Sequence, residues 1–170
     1  MTEQRTLHVI QGEQAISDSQ DVMITTVLGS CVAACMYDPQ RQIGGMNHFL
    51  LADDTGAREG DMRFASASME RLVNGLLKQG AQRSRLQAKI FGGARMMAGL
   101  PDIGRRNGEA AIAFLAGERI PCISMSLGGN SARRIRFWPA TGRAQQLLLP
   151  EQTKDPVVPV APRTGAIELF

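Results

Sequence analysis

Aromatic residues are scarce in this sequence, with one Trp, one Tyr and six Phe in 170 residues. A nucleic-acid surface wants a dense basic face interleaved with aromatic side chains. Here the formal charge is only +3, and the basic residues are scattered apart from the pairs Arg105-Arg106 and Arg133-Arg134. No nucleic-acid partner is expected, while attraction to an acidic protein surface stays open. No apolar run approaches the ~18 residues of a membrane-spanning helix, and the opening MTEQRTLHV lacks the basic-then-apolar layout of a secretion signal. A cytoplasmic protein without membrane insertion is the expectation. Cysteine is limited to Cys31, Cys35 and Cys122, an odd and sparse set unlike a disulfide framework, so reduced thiols are expected. Histidine is scarcer still, leaving His8 and His48 as the candidates for imidazole chemistry.

What is present is enough apolar residue, 44%, for one domain with a proper core. Residues 6–10 and 22–28 (VMITTVL) read as strands on either side of a polar connection, EQAISDSQD. Residues 32–37 lead into Asp38-Pro39-Gln40-Arg41, a turn with its proline at the second position, and then into IGGMNHFLL at 43–51. This is a hairpin pattern that puts positions near 31 beside positions near 48, although periodicity over 31–37 also allows a short helix. From 62 to 79, Met62, Ala65, Met69, Leu72, Val73, Leu76 and Leu77 follow helical spacing, with Gly80 placed to cap the end.

QAKIFGG reads as a strand, and a second helix is expected from about Arg106 to Gly117 with Ala110, Ala111, Phe114 and Leu115 inward. IPCISMSLGG, RIRFWP and RAQQLLL then read as strands. Strands at both ends with helices mid-chain favour an α+β fold over alternating βαβ units. Pro150, Pro156, Pro159 and Pro162 are four of the eight prolines, so 1–149 is taken as the domain and 150–170 as a Pro-rich flexible tail.

Cys35 and Cys122 lie inside apolar strand-like runs and read as small core residues. Cys31 differs because it follows Gly29-Ser30. Glycine permits a tight turn whose free N–H groups can hold an oxyanion and lower the thiol pKa, so Cys31 is the candidate nucleophile, with Gly29 and Ser30 as candidate oxyanion or pocket residues. Such a thiol needs a base and a group to orient that base. His48, on the neighbouring strand of the hairpin, is the candidate base, and the hydroxyls of Thr25 and Thr26 are both available to orient it. His8 has no acidic or thiol context and reads as structural. A Cys₃His zinc site from Cys31, Cys35, His48 and Cys122 is the rival reading, although the usual Cys-x₂-Cys knuckle is absent.

The stretches LGSCVAACMYDP, IGGMNHFLL, LQAKIFGGARMM, IGRRNGEAAIAFL, IPCISMSLGG and FWPATGR occur in an order and spacing that resembles the CheD family, chemoreceptor glutamine deamidases of bacterial chemotaxis. The specific part is the cysteine of LGSC with the histidine of GGMNHF seventeen residues on. The resemblance, over about residues 5–149, implies a layered α/β/β sandwich similar to the catalytic domain of cytotoxic necrotizing factor toxins. It implies hydrolysis of receptor glutamine side chains to glutamate and ammonia by a Cys-His-Thr site without cofactor or metal. Carried over by position, Cys31 is the nucleophile, His48 the base, and Thr25, six residues before the cysteine, the orienting threonine. The implied partners are chemoreceptors (methyl-accepting chemotaxis proteins) and, as in some relatives, a CheC-type phosphatase. The alternative function is a non-catalytic adaptor that binds receptors or such a phosphatase.

Overall fold

In the computed structural model of the chain, the described residues are 3–50, 59–99, 102–150 and 167–170. Strands β1 (Arg5–His8), β2 (Gln14–Ser17), β3 (Val22–Leu28), β4 (Val32–Asp38) and β5 (Ile43–Asn47) precede helix α1 (Glu59–Lys78). β6 (Gln87–Gly92), α2 (Ile103–Gly117), β7 (Cys122–Leu127), β8 (Arg133–Trp138), β9 (Arg143–Leu148) and β10 (Ile167–Leu169) follow. The strands form two five-stranded sheets, ordered β1-β3-β8-β9-β10 and β2-β5-β4-β6-β7.

Strand alternation builds the layers, because successive side chains leave a strand on opposite faces. Along β4, Val32, Ala34 and Met36 join a core with Met69, Leu72 and Leu76 of α1 and Ala111 and Leu115 of α2. Ala33 and Cys35 face the other way, into a core shared with Ile24 and Leu28 of β3 and Ile135 and Phe137 of β8. The protein is thus an α/β/β sandwich, helices on one sheet and that sheet on the other.

The hairpin β4–β5 forms with Cys35 opposite Met46, and Val32–Asp38 is a strand, which settles the helix alternative. Asp38 closes it. Its buried carboxylate accepts the backbone N–H groups of Gln40, Arg41 and Gln82 and pairs with Arg85, whose Nε lies 2.9 and 3.0 Å from its two oxygens. Burial pushes this carboxyl up, but the guanidinium and the three amides outweigh it and hold Asp38 well below the usual carboxylate range.

Three expectations are corrected. The connection EQAISDSQD contains β2, a strand too short and polar to announce itself, which pairs along β5 with Ala15 opposite Met46. Helix α2 begins at Ile103 rather than near Arg106, because the Asp102 side chain accepts the Arg105 N–H at 3.0 Å and caps it. Within the tail 150–170, expected to be flexible, residues 167–169 form an edge strand antiparallel to β9. The Phe170 ring meets Phe91 edge-on at 5.3 Å, and buried Lys89 Nζ donates to the Phe170 carbonyl at 2.8 Å. The proline stretch 151–166 lies outside the described residues.

Candidate active site

Residues 29–31 carry the chain from the end of β3 in one sheet to the start of β4 in the other. All three carbonyls of this crossover are held. The Gly29 oxygen accepts from Ala94 N–H at 3.0 Å, the Ser30 oxygen from Asn107 Nδ2 at 2.7 Å, and the Cys31 oxygen from Gly93 N–H at 2.9 Å. The approach is so close that a Cβ on Gly92, at φ +116°, would sit 2.2 Å from the Cys31 oxygen. The amides of Ser30 and Cys31 donate to no oxygen among the described residues.

The histidine comes from the strand beside the thiol. Val32 and Phe49 exchange backbone hydrogen bonds of 3.0 and 2.9 Å, which puts Ala33 opposite His48 and Cys31 diagonal to His48 on the same inter-sheet face. Diagonal neighbours lie about 7–8 Å apart at Cα, within reach of a long side chain. His48 is only 7% exposed, whereas Cys31 is half-buried and its Sγ lies 3.9 Å from Gln11 Oε1.

The hydrogen bonds around the imidazole define its tautomer. Thr26 Oγ1 lies 2.6 Å from the Val9 carbonyl, which can only accept, so the hydroxyl spends its proton there. The His48 Nδ1 at 2.8 Å from Thr26 Oγ1 must then be the donor, consistent with its second contact to Val9 O at 3.4 Å. On this assignment from the network, neutral His48 carries its proton on Nδ1 and keeps a lone pair on Nε2. That is the form a general base needs.

The structure places Thr26, not Thr25, in hydrogen-bond contact with His48. Thr25, expected to orient His48, donates its hydroxyl to the Ile135 carbonyl at 2.7 Å instead. Along β3 the even positions Val22, Ile24 and Leu28 face the inter-sheet core, and Thr26 shares their face while Thr25 lies on the opposite one.

The electrostatics also differ from expectation. Partial burial raises the Cys31 thiol above its ordinary value, with its own backbone N–H pulling weakly the other way. Burial likewise lowers His48, against the opposing hydrogen bond to Val9. Both groups are therefore neutral near pH 7, a thiol beside an imidazole rather than an ion pair. A turn that merely exposes amides has not depressed this thiol, because desolvation outweighs them.

The four zinc candidates do not converge. Cys35 faces the inter-sheet core, while Cys122 packs with the helix-side core and donates its thiol to Ser124 O at 3.3 Å. His8 is exposed on β1. A cleft of about 900 Å³ lined by Val27, Met96, Asn130 and Ser131 adjoins a smaller recess beside Ser30, and Arg95 and Met96 line both. Met96 lies against Gly29, and Met96 and Met97 are 49% and 64% exposed, giving the crossover a soft apolar rim.

Two side chains in this arrangement escaped the sequence reading. Thr26 is one of two candidate hydroxyls, and the resemblance points to its neighbour Thr25. Asn107 was not singled out, although a polar residue on the buried stripe of α2, three before Ala110 and four before Ala111, is itself a signal.

The family described as CheD chemotactic sensory transduction matches residues 50–146, beginning just after His48. Whole-chain relatives extend the match across the crossover. The protein named "Probable chemoreceptor glutamine deamidase CheD" of Caulobacter vibrioides (strain NA1000 / CB15N) is 50% identical, covering 96% of this chain and 92% of its own. That of Acidiphilium cryptum (strain JF-5) is 46% identical over 98% and 94%, and that of Agrobacterium fabrum (strain C58 / ATCC 33970) 52% over 82% and 78%. Among solved structures, a hypothetical protein YfiH of Bacillus licheniformis aligns at TM-score 0.46 with 16% identity over 73% of this chain and 60% of that one. At half identity over nearly its whole length, with the same family description over most of the domain, this chain belongs to the CheD family.

Proposed function

We propose that the protein is a protein-glutamine deamidase that hydrolyses glutamine side chains of chemoreceptors to glutamate and ammonia through a Cys31 thioester. The observation that carries this reading is the Thr26–His48 Nδ1 hydrogen bond, which leaves Nε2 free as a base on the strand beside Cys31, in a chain whose relatives bear the deamidase name.

In the reaction, His48 Nε2 takes the thiol proton and Sγ attacks the substrate Cδ. The carboxamide oxygen gains charge and meets the N–H of Cys31. Imidazolium His48, still anchored through Nδ1–H to Thr26 Oγ1, gives its proton to the departing nitrogen, which leaves as ammonia. Water then loses a proton to Nε2, adds to the thioester and releases glutamate with the thiol restored. The exposed methionine rim suits the apolar stripe of a receptor helix.

The test is incubation of receptor cytoplasmic domains with the protein, reading released ammonia and glutamine-to-glutamate conversion by mass spectrometry. Docking on receptors or on a CheC-type phosphatase without turnover would give binding and no ammonia.

Two further outcomes follow from the geometry. Thr26→Val is expected to lower kcat about 10- to 100-fold by freeing the imidazole to rotate. Thr25→Val is expected to cost about 1 kcal/mol of stability and leave kcat unchanged. Steady-state kinetics beside thermal melts separate the two.

The pH dependence has a definite sign. A lowered His48 value keeps the base unprotonated to lower pH, so kcat/KM should hold through pH 6.5 and fall only below it. An acid limb centred above that value would contradict the assignment. With its thiol raised, native Cys31 should still be gaining reactivity toward iodoacetamide at pH 9.0.

A further inference from the structure

We infer that Asn107 is a positioning residue for catalysis, fixing the peptide plane that carries the oxyanion-binding N–H of Cys31; this rests on Cys31 being the nucleophile.

The argument begins with one peptide unit. The carbonyl of Ser30 and the N–H of Cys31 belong to the same planar trans group, so the direction of one sets the direction of the other. Asn107 Nδ2 donates to that carbonyl at 2.7 Å. The N–H is thereby aimed away from α2, on the side of the peptide opposite the Asn107 amide. An oxyanion formed by attack of that sulfur therefore forms beside a donor already in place.

The neighbouring carbonyls are held differently. Gly29 and Cys31 are tied by the backbone N–H groups of Ala94 and Gly93, which side-chain truncation does not remove. Only the middle peptide depends on a side chain. That side chain is fully buried, and α2 packs tightly against residues 93 and 94, whose N–H groups hold the rest of the crossover. A Cβ on Gly104 would lie 2.4 Å from the Ala94 oxygen and 2.5 Å from that of Gly93. Such close packing, with a polar residue at its centre, puts a rigid helix behind the reacting peptide.

The test uses the full chain with Asn107→Ala and Asn107→Ser, measuring kcat and KM for ammonia release and the rate of Cys31 alkylation by iodoacetamide. Alkylation needs the thiolate but builds no oxyanion. The number of alkylatable Cys31 thiols, with Cys35 protected, counts native protein in each sample. The expected result per native molecule is a kcat lower by about 100-fold, KM within about threefold and an alkylation rate that changes far less than kcat, within about threefold. The proposal is overturned if kcat is unchanged, if alkylation slows in parallel with kcat, or if neither variant yields native protein, which would make Asn107 a folding residue. Activity retained by Cys31→Ala would overturn the nucleophile itself, a separate failure read in the same assay.

Discussion

Replacing Cys31 with alanine is expected to abolish ammonia release, by about 10⁴-fold or more, while the receptor still binds. The size follows from the chemistry, since neither His48 nor the crossover amides can form the thioester alone. Stability should change little. The thiol is half-buried on a crossover whose three carbonyls stay hydrogen-bonded without it, and losing one sulfur there costs about 1 kcal/mol, a shift of about 2–4 °C in Tm. His48→Ala should lose nearly as much activity. Because residues of one catalytic unit are not additive, the double variant should be no worse than Cys31→Ala. Turnover by Cys31→Ala at the wild-type rate would end the proposal.

The largest expected effect on folding lies far from the thiol. Asp38→Asn leaves Arg85 without its carboxylate and replaces an acceptor of three backbone N–H groups with one oxygen and an unwanted donor. Breaking a buried pair from one side costs about 3–5 kcal/mol. Arg85 is 26% exposed and can recover some water, so the lower figure applies, or about 6–12 °C in Tm.

The pH dependence has the opposite sense from a raised group. The folded-state value of Asp38 is depressed, so its contribution is complete above the unfolded carboxyl value near 4 and is lost as pH falls below it. Urea melts of wild type and Asp38→Asn should therefore differ most at neutral pH and converge in acid. A constant difference down to pH 2 would show that the carboxylate charge is not what stabilises the turn.

Much of the architecture was legible because its signals are local. The α1 stripe from Ala65 to Leu76 follows one helical period, and the turn at Asp38-Pro39 announces the hairpin that sets Cys31 near His48. The choice between Thr25 and Thr26 was not legible for a physical reason. In VMITTVL both alternating sets are apolar, so the strand carries no mark of which face meets the second sheet. The thiol pKa was equally hidden, because burial against the inter-sheet core is a tertiary fact that outweighs the glycine-led turn. β10 was masked by the prolines before it, although AIELF itself alternates as an edge strand does.

The crossover has a consequence in time. A nascent chain that has emerged only through its first hairpin already holds both Cys31 and His48, yet lacks the residues at 93, 94 and 107 that fasten the crossover. The proposed nucleophile and base are thus both synthesised well before the residues that fasten the crossover. On the proposed mechanism, synthesis must pass residue 107, and both sheets must close, before the proposed site is complete.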